Sequence, residues 1–149
     1  MGAGNRLIPG AINVDRTRHR EEINCVCDLN VLPWPWDAET FDKVAAIAVL
    51  EHLEPTLLTL MDEVWRVLKP GGIAVVKLPA WDHEVSWNDL SHRHHVGAEA
   101  MDQVDPRTDR GRRYTFYTRR KWAIQKRKRG TTSYWWTLKK MGLDWEGRE

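Results

Sequence analysis

The most constraining stretch of the chain runs from Phe41 to Val76, where the apolar spacing changes character twice. Phe41-Asp-Lys-Val-Ala-Ala-Ile-Ala-Val49 is a nearly continuous apolar run, the pattern of a strand covered on both faces. From Pro55 to Leu68 the apolar positions become Leu57, Leu58, Met61, Val64, Trp65 and Leu68, one face of a helix that leaves Asp62, Glu63 and Arg66 outside. Lys69-Pro70-Gly71-Gly72 then stops the helix. A cation suits its negative end, proline cannot continue it, and glycine supplies the positive φ that turns the chain into the strand Ile73–Val76. Strand, helix, strand implies a right-handed crossover and a parallel pair, so the fold class is α/β.

The flanking segments extend this plan. Ala11–Val14 and Ile23–Cys27 are short strand candidates, each ending at an aspartate, Asp15 and Asp28. A turn-rich Pro33-Trp-Pro-Trp36 precedes the apolar run, and Ala98–Val104 reads as a short helix. Lys121–Arg127 and Thr132–Leu138, joined near Arg129-Gly130, form an antiparallel hairpin because their connection is short. At 149 residues there is room for one core, so a single domain spanning 1–149 is expected. No apolar stretch approaches the ~20 residues of a membrane span, and no charged segment followed by an apolar one marks a signal peptide; a cytoplasmic protein without membrane contact is expected. Cys25 and Cys27 sit two apart in a strand candidate, which forbids a bridge between them, and read as reduced, partly buried residues.

Charge is distributed unevenly. Residues 1–105 hold 9 Lys/Arg against 17 Asp/Glu, whereas 106–149 hold 14 against 4. A solvated basic face explains this simply. The sharper reading is an anionic partner, nucleic acid among them, drawn to Arg112, Arg113, Arg119, Arg120, Lys126, Arg127, Lys128 and Arg129, with Trp135 and Trp136 as stacking surfaces.

Taken in order, Gly2-Ala-Gly-Asn-Arg-Leu-Ile-Pro-Gly10 with Asn13-Val-Asp15, Asp28-Leu29, Leu32-Pro-Trp-Pro, Phe41-Asp42, Val49-Leu-Glu-His-Leu53 and Trp65-Arg-Val-Leu-Lys-Pro-Gly-Gly72 resemble the class I S-adenosylmethionine-dependent methyltransferases, in particular small, type-11-like members. Each piece alone is weak; their order and spacing carry the resemblance across nearly the whole chain. It implies a Rossmann-like, mostly parallel sheet with the C-terminal antiparallel hairpin, and S-adenosyl-L-methionine as cofactor. It places Gly2, Ala3, Gly4 and Asn5 at the methionine part of the cofactor, where a Cβ would collide, Asp15 on the ribose hydroxyls, Asp28 and Leu29 on the adenine, and Ala48 on the strand leading to the cofactor-facing Leu50-Glu51-His52. Taken singly, Asp15 and Asp28 read as strand-end turn residues. Two departures from the family pattern stand out. The glycine loop begins at Gly2, so most of the first strand and the first helix are missing, and Ala48 stands where many relatives carry a polar side chain.

Trp81-Asp-His-Glu-Val-Ser-Trp-Asn-Asp-Leu-Ser-His-Arg-His-His95 follows a strand end and is dense in titratable groups. His92 is the first choice of general base for the attacking nucleophile, with His94 or His52 second; the rival reading makes His94 a solvated loop residue and His52 a histidine satisfied at a helix start. His83, Asp89, His92 and His94 lack the compact spacing of a metal motif, and no metal is expected.

The expected activity is methyl transfer to an unidentified acceptor, a small molecule first and nucleic acid as the close variant. Rivals are a non-catalytic S-adenosylmethionine- or RNA-binding module and acceptor-independent cleavage of the sulfonium. A missing central strand leaves backbone groups without partners, so either the flanking strands close up or a second copy covers the edge, with Trp34, Trp36 or Trp135 at a homodimer interface.

Overall fold

The computed structural model describes residues 1–4 and 7–145. In chain order its strands are β1 (Asn13–Asp15), β2 (Ile23–Val26), β3 (Phe41–Ile47), β4 (Leu68–Pro79), β5 (Trp122–Arg129) and β6 (Ser133–Lys140); the helices are α1 (Leu57–Val67) and the short α2 (Asp109–Arg113). Single turns of 3₁₀ helix lie at Leu50–His52, Glu84–Ser86 and Thr115–Tyr117, with a longer one at Ala100–Val104.

The crossover expected from the apolar pattern is present: β3 and β4 pair in parallel, joined through α1. Thr56 caps α1, its hydroxyl accepting the Thr59 N–H at 3.2 Å. The inner face buries Leu60, Met61, Val64 and Val67, each at most 1% exposed, worth roughly 1.5–3 kcal/mol apiece. Glu63, expected outside, is instead buried, and with the half-buried Arg66 it faces the Pro33–Trp36 turn. Glu63 Oε1 accepts the Trp34 N–H at 2.7 Å, and Arg66 donates to the Trp34 and Trp36 carbonyls at 3.1 and 2.8 Å. The helix stops where the residue types say it must, but β4 starts at once, at Leu68. Lys69–Gly72 form a bulge within the ladder, since Phe41 pairs with Leu68 and Lys43 with Ile73. Gly71 takes φ +74°, and a Cβ on Gly72 would lie 2.9 Å from the Lys69 carbonyl oxygen.

The C-terminal hairpin also forms, and β6 inserts between β4 and β5 to give the order β3-β4-β6-β5. β5 is the outer strand. It ends in Lys126-Arg-Lys-Arg129, all exposed, a charged edge that discourages further strand pairing.

The expectation of one mostly parallel sheet is corrected. β1 and β2 form their own parallel pair, and among the described residues the pairings are evenly parallel and antiparallel. The division arises because no strand among the described residues lies between β1 and β3; a cavity of about 610 Å³ separates them, lined by Met1, Ala3, Asn13, Val14, Phe41 and Val44. Two hydrogen bonds span it. The Met1 ammonium donates to the Ala45 carbonyl at 2.8 Å and the Ala3 N–H to that of Val14 at 2.8 Å.

The tryptophans expected at an interface are placed differently. Trp34 is 2% exposed and its indole N–H donates to the Leu29 carbonyl at 3.0 Å. Trp36 and Trp135 are half-buried, the latter beneath the Lys77 ammonium. Trp136, expected as a stacking surface, is 1% exposed and belongs to the core. The exposed indoles are those of Trp81 and Trp87, on the loop after β4. No helix among the described residues is long and apolar enough to cross a membrane.

Candidate active site

The first part of the site is the glycine turn. Gly2 and Gly4 adopt φ +55° and +46°, a region costly for residues with a Cβ. At Gly2 a Cβ would also lie 2.3 Å from Val49 Cγ2, so the turn lies directly on the residue that follows Ala48. Gly4 N–H donates to Asp15 Oδ2 at 2.9 Å, which ties the turn to the carboxyl end of β1. Burial alone would raise the Asp15 carboxyl, but the N–H groups of Gly4, Thr17 and Arg16 outweigh it and hold the group below its ordinary value. Asp15 therefore stays ionised, half-exposed, at a strand end.

The other nucleoside candidates divide. Asp28 is half-buried and its Oδ1 accepts the Asn30 N–H at 3.0 Å, closing a local turn while Oδ2 stays open. Leu29 is 4% exposed and packs in the core, so its side chain offers no face to an adenine ring. Ala3 is buried and contributes its backbone. Asn5 lies outside the described residues.

Ala48 closes β3 at φ +53°, exposed, with its N–H donating to the Lys77 carbonyl at 3.1 Å. A non-glycine residue in the left-handed region costs about 1–2 kcal/mol, and such strain gathers where geometry serves a site. The 3₁₀ turn that follows carries Glu51 and His52. Both line, with Ala48, Lys77 and His92, a cavity of about 700 Å³ at the carboxyl ends of β3 and β4, where ligands bind in open α/β sheets.

The loop that covers this cavity is held at its base. Ala80 bridges Val96, and the Trp81 N–H donates to the Val96 carbonyl at 3.1 Å. Farther out, the Arg93 N–H donates to the Glu51 carbonyl at 2.6 Å. His92 Nδ1 lies 3.0 Å from the Ser86 carbonyl oxygen, an acceptor only, so Nδ1 carries the proton and Nε2 the lone pair of the neutral ring. Ser91 Oγ donates its one proton to Asp89 Oδ1 at 2.6 Å and so accepts from His52 Nδ1, 2.8 Å away. His52 thus also presents a basic Nε2. The two rings meet edge to face with centroids 4.7 Å apart. Burial, joined by the neighbouring His92, lowers the His52 pKa.

Glu51 is the residue that sequence reasoning did not single out. It is 1% exposed, neither carboxyl oxygen has a hydrogen-bond partner, and burial raises its pKa to about 6. The signal was a carboxylate set among Val49, Leu50 and Leu53, whose side chains are all buried.

Of the three histidines expected to be catalytic, His52 and His92 come together and His94 does not. His94 Nε2 lies 3.0 Å from both the Leu53 and Pro55 carbonyls and clasps the loop to the start of α1. His83 Nδ1 accepts the Val85 N–H at 3.1 Å, and His95 stacks on Trp87 at 3.8 Å.

Residues 4–76, from the glycine turn through most of β4, match the model of a methyltransferase domain family. Over that span the chain is similar to this family. The match takes in Gly4, Asp15, Asp28, Ala48, Glu51 and His52, whereas Gly2 and the loop bearing His92 lie outside it. No curated protein matches the chain. The matched segment supplies one wall of the cavity, and the segment beyond the match supplies the other.

Proposed function

We propose that the chain transfers a methyl group from S-adenosylmethionine to a small-molecule acceptor seated in the cavity between Ala48 and the Trp81–His95 loop. The observation that carries this reading is the convergence on one side of the β3 and β4 carboxyl ends of Ala48, Glu51, His52 and His92 in a chain similar to the methyltransferase family. The glycine turn is compatible with the cofactor: its positive φ values suit glycine, and at Gly2 the Val49 side chain leaves no room for a Cβ. The ionised Asp15 retains acceptor capacity for ribose hydroxyls beyond its bond from Gly4. Asp28 Oδ2 is available to the adenine amino group. When bound, the cofactor's sulfonium makes its methyl carbon electrophilic. The protein's task is then to hold the acceptor in line and receive its proton; His92 Nε2 and His52 Nε2 are the basic atoms at the cavity wall.

The lining favours a small acceptor with an apolar part. Pro79, Val85 and Leu90 stand beside the polar cluster, the mix typical of small-molecule sites. Of the eight cations expected to draw nucleic acid, four are engaged within the chain, Arg127 with Asp102, Arg112 with Asp109, Arg129 with Asp82 at 2.9 Å and Arg120 with the Asp62 carbonyl at 3.0 Å, which reduces the charge left for such a track.

The test is mass spectrometry after incubation with S-adenosylmethionine, alone and with panels of small molecules and oligonucleotides. A methylated small molecule formed with equimolar S-adenosylhomocysteine supports the proposal. Methylation confined to oligonucleotides, or breakdown of the cofactor without any acceptor, contradicts it.

A further inference from the structure

We infer that Glu51, His52 and His92 form a binding site for one divalent first-row transition-metal ion, a two-histidine, one-carboxylate set at the wall of the acceptor cavity. One ligand atom from each residue lies within 4.8 Å of the others, and among the described residues this is the cluster with such spacing. A cation at the centre of a triangle with sides of that length lies about 2.8 Å from each corner, so closing the side chains by roughly 0.7 Å reaches the ~2.0–2.2 Å bonds of such ions.

Two independent features point to a cation. The Glu51 carboxylate is 1% exposed and neither oxygen has a hydrogen-bond partner, an arrangement costly for a bare charge that a bound cation offsets. Both imidazoles are already in the ligating tautomer, with Nδ1–H given away and Nε2 left with its lone pair. Their Nδ1 partners are a backbone carbonyl on Ser86 and a Ser91 hydroxyl itself anchored by Asp89. This is the outer support that fixes metal-bound histidines. The mixed nitrogen and oxygen set favours Zn²⁺, Co²⁺ or Mn²⁺ over Mg²⁺ and Ca²⁺, which prefer oxygen alone. Binding does not itself depend on the methyl-transfer reading, but it takes up both Nε2 lone pairs, so the two histidines receive the acceptor's proton only in the metal-free protein. Only the role that follows from it, a Lewis acid holding an acceptor oxygen at the cavity wall, rests on that reading.

The experiment is titration of metal-stripped native protein with Co²⁺, followed by its d–d absorption, with Zn²⁺ as competitor and the folded state checked by thermal melting. One Co²⁺ per chain, displaced by Zn²⁺, is expected, with affinity lowered at least about 10-fold in Glu51→Gln and in His92→Gln but unchanged in His83→Ala. Should a variant fail to fold, proton NMR of the native Co²⁺ form decides: two strongly shifted exchangeable imidazole N–H resonances are expected, one from each Nδ1–H. No saturable binding by the native protein, affinity unaltered in both folded cluster variants, or fewer than two shifted N–H signals overturns the inference. Absence of methyl transfer with metal bound, by contrast, counts against the functional reading and leaves the site intact.

Discussion

At Ala48 and Gly2 the backbone meets the site most closely, and single substitutions there separate strain from function. Ala48 holds φ +53° with a Cβ that disfavours it, so Ala48→Gly relieves the strain, less what glycine adds to the freedom of the unfolded chain. A net gain of up to about 1 kcal/mol is expected in urea unfolding. Gly2→Ala has the opposite sign: its methyl would enter the Val49 side chain, and both melting temperature and cofactor affinity should fall. Asp15→Ala removes the acceptor of the Gly4 N–H as well as the proposed ribose contact, and a loss of roughly 10- to 100-fold in cofactor affinity is expected from ~1.5–3 kcal/mol for hydrogen bonds to a charged group. Asp15 was legible only through the family resemblance, since a carboxylate closing a short strand reads singly as a turn residue. Glu51 was not, since its isolation depends on loop residues about forty positions later that the local pattern does not show.

Between elements, the joint that matters most is α1 against the Pro33–Trp36 turn. Glu63 carries it. Burial alone would raise the Glu63 carboxyl, but the Arg66 guanidinium and the Trp34 N–H outweigh burial and hold it below its ordinary value. A carboxyl whose folded pKa is depressed stabilises the fold above its unfolded pKa, 4.5, and loses that contribution as pH falls through the lower folded value. Thermal melts should therefore show native stability declining below about pH 4.5, with the decline smaller in Glu63→Ala. At neutral pH that variant should lose roughly 1–3 kcal/mol, the cost of leaving the buried Trp34 N–H without its acceptor; unchanged neutral stability would refute this role for the joint. The crossover and the hairpin were readable because each is set by contiguous residues: an apolar run, a 3.6-residue stripe, a Lys-Pro-Gly-Gly stop, a short turn. The insertion of β6 beside β4 and the burial of Trp34 were not, because they are decided by partners dozens of residues away.

For the whole molecule, the governing feature is the gap between β1 and β3, spanned by the Met1 and Ala3 hydrogen bonds. A closed dimer covering these edges predicts a light-scattering mass that rises to two chains with concentration. A single-chain mass throughout means that the bridge closes the gap within one chain. The same gap adjoins the glycine turn, so on the proposed reading cofactor binding would stabilise this region. A ligand that binds only the folded state stabilises it by mass action, and S-adenosylhomocysteine at 100 times its Kd should add about 2.7 kcal/mol. The most direct test of the account is titration calorimetry of the native protein and of Asp15→Ala with S-adenosylhomocysteine. The account predicts saturable binding of one molecule per chain, weakened at least about 10-fold by the substitution; no saturable binding to the native protein, or equal affinity in the two, would contradict it.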